Sequence, residues 1–276
     1  MIYIIPEKIT SLHVIQPMAT FLFKDVIFGP VNSRRLGVSL GINLVPVNRK
    51  VCTFNCIYCE CGWTNDRHLP SEGFPPRQLI ADNLQRKLKD LREGGLLPDA
   101  LTFAGNGEPT LHPEFPGIIL DTVDIRNTLA PDSRIVVLSN GSLAHRQGTR
   151  EALERVDRNI LKLDTGIEAT FRRLNQPPPD ITLDKIIGNL KLFDRNLILQ
   201  TLFIRGSYAG KLIDNTTDQE IAALLDLYRE IKPAEVQVYT IARDTPVNSL
   251  NRVPLPDLEA IALRIQELGI KTSVFG

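Results

Sequence analysis

The chain has 276 residues, with 32 Lys+Arg against 32 Asp+Glu and a formal net charge of zero. Hydrophobic residues make up 43% and charged residues 23%, ordinary values for a globular chain that buries roughly 75% of its unfolded surface without staples. This excludes a disordered chain, a collagen-like repeat and a coiled-coil rod, and zero net charge argues against extensive electrostatic coating of nucleic acid while leaving local basic patches open.

At the N-terminus, Pro6, Glu7 and Lys8 interrupt what would be the apolar core of a secretory signal. Met1 and Met18 are the two methionines, so residues 1–27 are expected to be an N-terminal extension, starting at either one, and 28–276 the core domain. Residues 39–45 (SLGINLV) read as a first strand leading into a cysteine-bearing loop. Apolar residues at helical spacing predict a helix over 76–93, stopped by Gly94 and Gly95. Strands at 100–104, 134–139 and 160–164 then alternate with helices at 114–125 and 150–156. A helix at 183–193, a strand at 197–204, a helix at 218–231, a strand at 235–241, a helix at 258–268 and a short strand at 271–275 complete the pattern. Such alternation predicts a parallel sheet with helical crossovers. Six units are too few for a closed eight-unit barrel, so the expected fold is a partial (β/α)6 TIM-like barrel with ligands at the carboxyl ends of its strands. No stretch reaches the ~18 apolar residues of a membrane helix, so no membrane partner is expected.

All four cysteines, Cys52, Cys56, Cys59 and Cys61, sit on one short loop after the first strand. A disulfide scaffold would spread them to close long loops; crowded together they read as a metal site in a reducing, cytoplasmic compartment. The first three have C-x3-C-x2-C spacing, which can bring three thiolates to one soft metal centre and leave a coordination position open. The competing readings are zinc, a closed electron-transfer cluster with Cys61 as fourth ligand, and plain buried thiols. Zinc is disfavoured because it prefers paired cysteines or histidines, and the nearest histidine is His68. Cys61 itself reads as a packed thiol.

The loop resembles that of the radical S-adenosylmethionine (SAM) enzymes in both spacings, in the aromatic Tyr58 before the third cysteine, and in its place after the first strand. The resemblance implies a [4Fe–4S] cluster on Cys52, Cys56 and Cys59, with SAM chelating the remaining iron. It implies reductive cleavage of SAM to a 5′-deoxyadenosyl radical that abstracts hydrogen from a substrate the sequence does not identify. The segment Gly105-Asn106-Gly107-Glu108, after the second strand, resembles the family's Gly-Gly-Glu, which holds the SAM amino group; Asn106 takes the place of a glycine. Ser139, Asn140 and Asp164 end the third and fourth strands where the family contacts SAM, although turn chemistry alone also selects such residues. Gln200 is a further candidate, and Tyr239 reads as a core aromatic.

The run from Phe28 to Pro46, with GNGEPTLHP and KLDTGIEATFRRLNQP, resembles a radical SAM subgroup similar to the wybutosine-synthesis enzymes of transfer RNA. Arg34 and Arg35 in that run would face opposite ways on a strand, and one of them could bind an anion. No cysteines remain for auxiliary clusters and no flavodoxin-like domain is fused, so the electron is expected from an external flavodoxin or ferredoxin. A macromolecular substrate, protein or RNA, is expected to close the open barrel edge. The alternative from another class is a non-catalytic metal-binding protein.

Overall fold

The computed structural model describes residues 21–64, 73–194 and 196–276; Met18 and His68 lie outside them. One sheet has the strand order β1 (Ile27–Ser33), β2 (Gly37–Ile42), β3 (Ala100–Phe103), β4 (Arg134–Ser139), β5 (Arg158–Lys162), β6 (Leu197–Leu202), β9 (Glu235–Tyr239) and β11 (Lys271–Phe275). From β2 onward every neighbouring pair is parallel, and helices α1 (Arg77–Glu93), α2 (Phe115–Leu129), α3 (Gln147–Glu154), α4 (Glu168–Leu174), α5 (Leu183–Leu190), α6 (Asp218–Ile231) and α7 (Leu255–Gln266) lie between strands. The sheet curls into a half-barrel, the partial TIM barrel expected. β7 (Ile204–Tyr208), β8 (Lys211–Asp214) and β10 (Leu250–Arg252) make a separate antiparallel sheet in the order β10-β7-β8.

Side-chain alternation along the strands gives the barrel two unlike faces. Leu101, Phe103, Ile135, Val137, Leu161, Leu199, Val236 and Val238 join the helix residues Ile80, Leu84, Leu88, Ile118 and Ile119 in the main core. Ala100, Val136, Ile160 and Ile198 point the other way and close with Leu36 into a small inner cluster. Two residues further along three of those strands, Leu138, Lys162 and Gln200 point into the same interior and line a pocket. The apolar inner cluster is therefore a floor beneath this pocket.

The structure departs from the sequence reading in several places. The first parallel strand starts at Gly37, and an antiparallel edge strand, β1, precedes it. Arg34 and Arg35 lie in the turn between these strands rather than on either one. The expected strand 197–204 breaks at Phe203, where the chain leaves the barrel for the small sheet.

Candidate metal and cofactor site

The cysteine loop is fixed to the barrel before any cofactor is considered. Val51, just ahead of Cys52, forms a parallel bridge with Gly107. Val51 N donates to Asn106 O (3.0 Å) and Glu108 N donates to Val51 O (3.0 Å). A Cβ on Gly107 would fall 1.7 Å from Val51 O, and one on Gly105 would fall 2.5 Å from Asn43 Oδ1. The glycines after β3 thus give the cysteine loop a close seat on the strand end. Asn106 between them is buried and turned into the structure: its Nδ2 donates to Phe23 O (2.8 Å) and Pro46 O (3.3 Å), and its Oδ1 accepts from Phe23 N (2.8 Å). Further along, Asn55 N and Ile57 N donate to Asn175 O (2.9 Å) and Leu174 O (3.0 Å) at the end of α4. Lys50 Nζ spans the loop to donate to Gly62 O (2.8 Å).

Cys52, Cys56, Cys59 and Cys61 line one pocket of about 150 Å³, together with Tyr58, Gly105, Gly107, Glu108, Ser139 and Asn140. Of the candidate cluster and SAM-binding residues read from the sequence, Asp164 alone does not line this pocket; Arg34 and Arg35, the candidate anion binders, do not line it either. N–H groups already reach the sulfurs: Phe54 N and Asn140 Nδ2 approach Cys52 Sγ at 3.4 and 3.6 Å, and Asn175 Nδ2 approaches Cys56 Sγ at 3.5 Å. Burial pushes the Cys52 thiol up to about 12, against the pull of Lys50, and raises Cys56 likewise. Cys59 moves the other way, to about 5, because a hydrogen bond from Cys61 and the Lys50 cation favour its thiolate. Lys50 has its own pKa raised: burial works to lower it, but Cys59, Cys52 and Cys56 together outweigh burial. Cys61 Sγ is 3.2 Å from Gly105 O.

Glu108 forms the opposite wall. Its Oε1 accepts from Thr110 N (3.1 Å), Thr110 Oγ1 (2.6 Å) and Ser139 Oγ (2.7 Å), while among the described residues Oε2 accepts from Asn140 N alone (2.8 Å). Oε2 therefore keeps acceptor capacity. Burial raises the Glu108 pKa despite these bonds, so a cation beside it would favour the ionised form. Ser139 and Asn140 support this carboxylate, and Asn140 Nδ2 also donates to Thr53 Oγ1 (2.8 Å).

Asp164 lies behind the pocket wall. Tyr58 OH donates to its Oδ2, as does Asn175 Nδ2 (2.8 Å), and Leu202 N donates to its Oδ1 (2.9 Å). Lys162 Nζ sits 3.5 Å from Oδ1, donates to Tyr239 OH (2.6 Å) and lies 5.1 Å from the Tyr58 ring centroid. Burial would lower the Lys162 pKa, but Asp164 and the Tyr239 hydroxyl reverse this and raise it. Lys50, Lys162 and Asn175 escaped the sequence reading. Lys50 stands two residues before Cys52, a signal that was available; Lys162 and Asn175 carried none outside a recognised run. Gln200 lines the pocket with its Nε2 buried and without a hydrogen-bond partner among the described residues.

The radical SAM superfamily model matches residues 50–228, so the chain belongs to the radical SAM superfamily. Among curated proteins it is 32% identical over 223 residues to a protein named GTPase Obg from Brachyspira hyodysenteriae, covering 79% of this chain and 30% of that one. It is 30% identical over 226 residues to a UPF0026 protein of Methanocaldococcus jannaschii, covering 79% of this chain and 64% of the relative. The chain thus spans less than two thirds of both. Among solved structures it resembles a radical SAM methyltransferase from Sphaerobacter thermophilus (16% identity, TM-score 0.63, 86% of this chain and 65% of that one). It also resembles TYW1 with a lysine-pyruvate adduct bound (16% identity, TM-score 0.58, 83% and 73%). These two likenesses concern the fold. Among the described residues, no helix is long and apolar enough to cross a membrane.

Proposed function

We propose that the chain is a radical SAM enzyme that carries a [4Fe–4S] cluster on Cys52, Cys56 and Cys59 and holds SAM between that cluster and Glu108. The observation that carries this reading is the convergence of three loop thiols and one buried carboxylate on a single pocket at the carboxyl ends of parallel strands. Members of this superfamily use a [4Fe–4S] cluster and SAM; bound here, they would supply one-electron cleavage of SAM to a 5′-deoxyadenosyl radical. The chain's own residues fit that pair. Among the described residues, no three His, Cys, Asp or Glu side chains gather round one ion-sized position. Thiols spread along a pocket wall suit a polynuclear cluster, with one thiolate at each of several corners, better than a lone zinc ion. Phe54 N, Asn140 Nδ2 and Asn175 Nδ2 would hydrogen-bond the ligating sulfurs and tune the potential. Glu108 Oε2 would accept from the SAM ammonium in a charge-assisted bond, and Gln200 Nε2 offers an unused donor. Tyr58, held by Asp164 and Asn175, orients the middle of the loop. The electron would come from an external flavodoxin or ferredoxin in the cytoplasm, and the substrate would be protein or RNA.

The test is anaerobic reconstitution with iron and sulfide, then dithionite and SAM. Formation of 5′-deoxyadenosine is the expected result. A colourless protein holding one zinc per chain would replace this reading with the non-catalytic metal protein.

A further inference from the structure

Beside the cysteine pocket lies a second, smaller cleft of about 50 Å³, and Tyr58 lines both. Arg34 and Arg35, from the β1–β2 turn, form part of its wall, and Tyr239 and Thr240 face them from the far side of the half-barrel. The turn thus reaches across the barrel's open side: Arg34 Nη1 donates to Gly276 O just past β11, and the Arg35 guanidinium carbon lies 4.9 Å from the Tyr239 ring centroid.

Arg35 is held without being satisfied. Its guanidinium carbon lies over the ring of Tyr239, which is itself tied through its hydroxyl to Lys162. Its Nη1 is buried and has no hydrogen-bond partner among the described residues. A buried guanidinium donor without an acceptor is costly to maintain. A carboxylate also lines the cleft, that of Glu60, and its Oε2 accepts from Arg243 Nη1 at 2.7 Å. Lys162, next to it, already has Asp164 as counter-ion. Among the described residues, Arg35 Nη1 is therefore a buried cationic donor without an acceptor of its own in a cleft that Glu60 also lines. The volume of the cleft suits a head group of a few heavy atoms rather than a whole metabolite.

We propose that this cleft is an oxyanion subsite, with Arg35 as its donor fork and Arg34 at its rim, and that it takes the carboxylate or phosphate of the molecule processed in the neighbouring pocket. A guanidinium fork matches the geometry of both groups. The rest of that molecule would pass Tyr58 toward the cysteine pocket. Assigning the anion to the substrate rests on the radical SAM reading; the existence of the subsite does not.

The experiment uses the full chain without iron, titrated calorimetrically with inorganic phosphate and separately with malonate. Binding of one of the two is expected, and its identity tells a phosphorylated substrate from a carboxylated one. Arg35→Gln should weaken that binding by about tenfold or more, the scale of one charge-assisted hydrogen bond. Arg35→Lys, which keeps the charge and loses the fork, should weaken it by less, and it serves as the readout if Arg35→Gln does not fold. Absence of binding by either anion at tens of millimolar, or equal affinity in wild type and both variants, overturns the subsite. Displacement of the bound anion by added SAM would give the cleft to the cofactor and overturn its assignment to the substrate. Because no cluster is present, failure to form 5′-deoxyadenosine in the separate reconstitution would leave this result standing.

Discussion

Gly107→Ala tests whether the cysteine loop is seated by the strand end beneath it. Gly107 has φ 159°, a backbone conformation that residues with a side chain rarely adopt, so alanine is strained there before any contact is counted. Space adds a larger obstacle: its Cβ would lie 1.7 Å from Val51 O and 2.5 Å from Val51 C. Normal carbon contact distances of about 3.5 Å require the Val51 peptide to retreat by well over 1 Å. That movement stretches both hydrogen bonds that pin Val51, the one to Asn106 O and the one from Glu108 N. Two such bonds at about 0.5–1.5 kcal/mol each, plus about 1–3 kcal/mol of overpacking, give a loss of about 2–6 kcal/mol if the loop stays seated. The alternative is to lift the loop off β3, which spares stability and sacrifices the convergence of the thiols on Glu108. Urea unfolding of the iron-free protein, and iron and sulfide content after reconstitution, measure the two outcomes. One of them must change. A variant with wild-type iron and sulfide that unfolds within about 0.5 kcal/mol of wild type would refute the seating argument.

Cys61→Ala should retain both iron–sulfur uptake and SAM cleavage, because Cys61 has no part in the proposed ligand set; loss of the chromophore in that variant would mean a four-cysteine cluster. His112 gives a pH signature. Its Nδ1 accepts from Glu114 N (3.1 Å) and its Nε2 pairs with Pro75 O (2.9 Å), the pattern of a neutral ring, and burial lowers its pKa from 6.5. The unfolded chain therefore takes up a proton at higher pH than the folded one. The stabilisation is complete above pH 6.5 and is lost as pH falls from there toward the lower folded value. Urea midpoints between pH 5 and 7.5 should show this slope in wild type and not in His112→Asn; parallel curves would count against it.

The sheet was legible because its parallel strands are short apolar runs separated by amphipathic helices, a pattern that packing on both faces imposes. What escaped was decided by remote partners. The run LILQTLFI reads as one strand, yet it breaks at Phe203. There Asn215 Oδ1 accepts from Ile204 N (2.9 Å), and its Nδ2 donates to Leu202 O (2.7 Å) and Asp164 O (2.9 Å). A side chain a dozen residues on substitutes for a strand partner, and nothing in 197–204 announces it. β1 was hidden by Pro30, which an edge strand tolerates and a central one does not. The cysteine spacing, Gly107 and Glu108 were legible as chemistry. Asp164 was legible as a strand-end acid, but its depth was not, since Tyr58 and Asn175 come to it from the cysteine loop and the end of α4.

That depth makes a last prediction. Asp164 is the counter-ion of Lys162 and the acceptor for Tyr58 OH, Asn175 Nδ2 and Leu202 N. Asp164→Asn leaves Lys162 as a buried cation without its partner and offers an amide N–H where donors already point. Breaking a buried pair from one side costs about 3–5 kcal/mol, much of it for the abandoned charge. Removing both charges should then cost less than the two single losses combined. In a double-mutant cycle on the iron-free protein, Asp164→Asn with Lys162→Met should recover more than about 1 kcal/mol relative to additivity. A direct contact between Asp164 and SAM predicts a different result: the single variant would unfold close to wild type without cofactor, the cycle would be additive, and only SAM binding to the reconstituted protein would suffer.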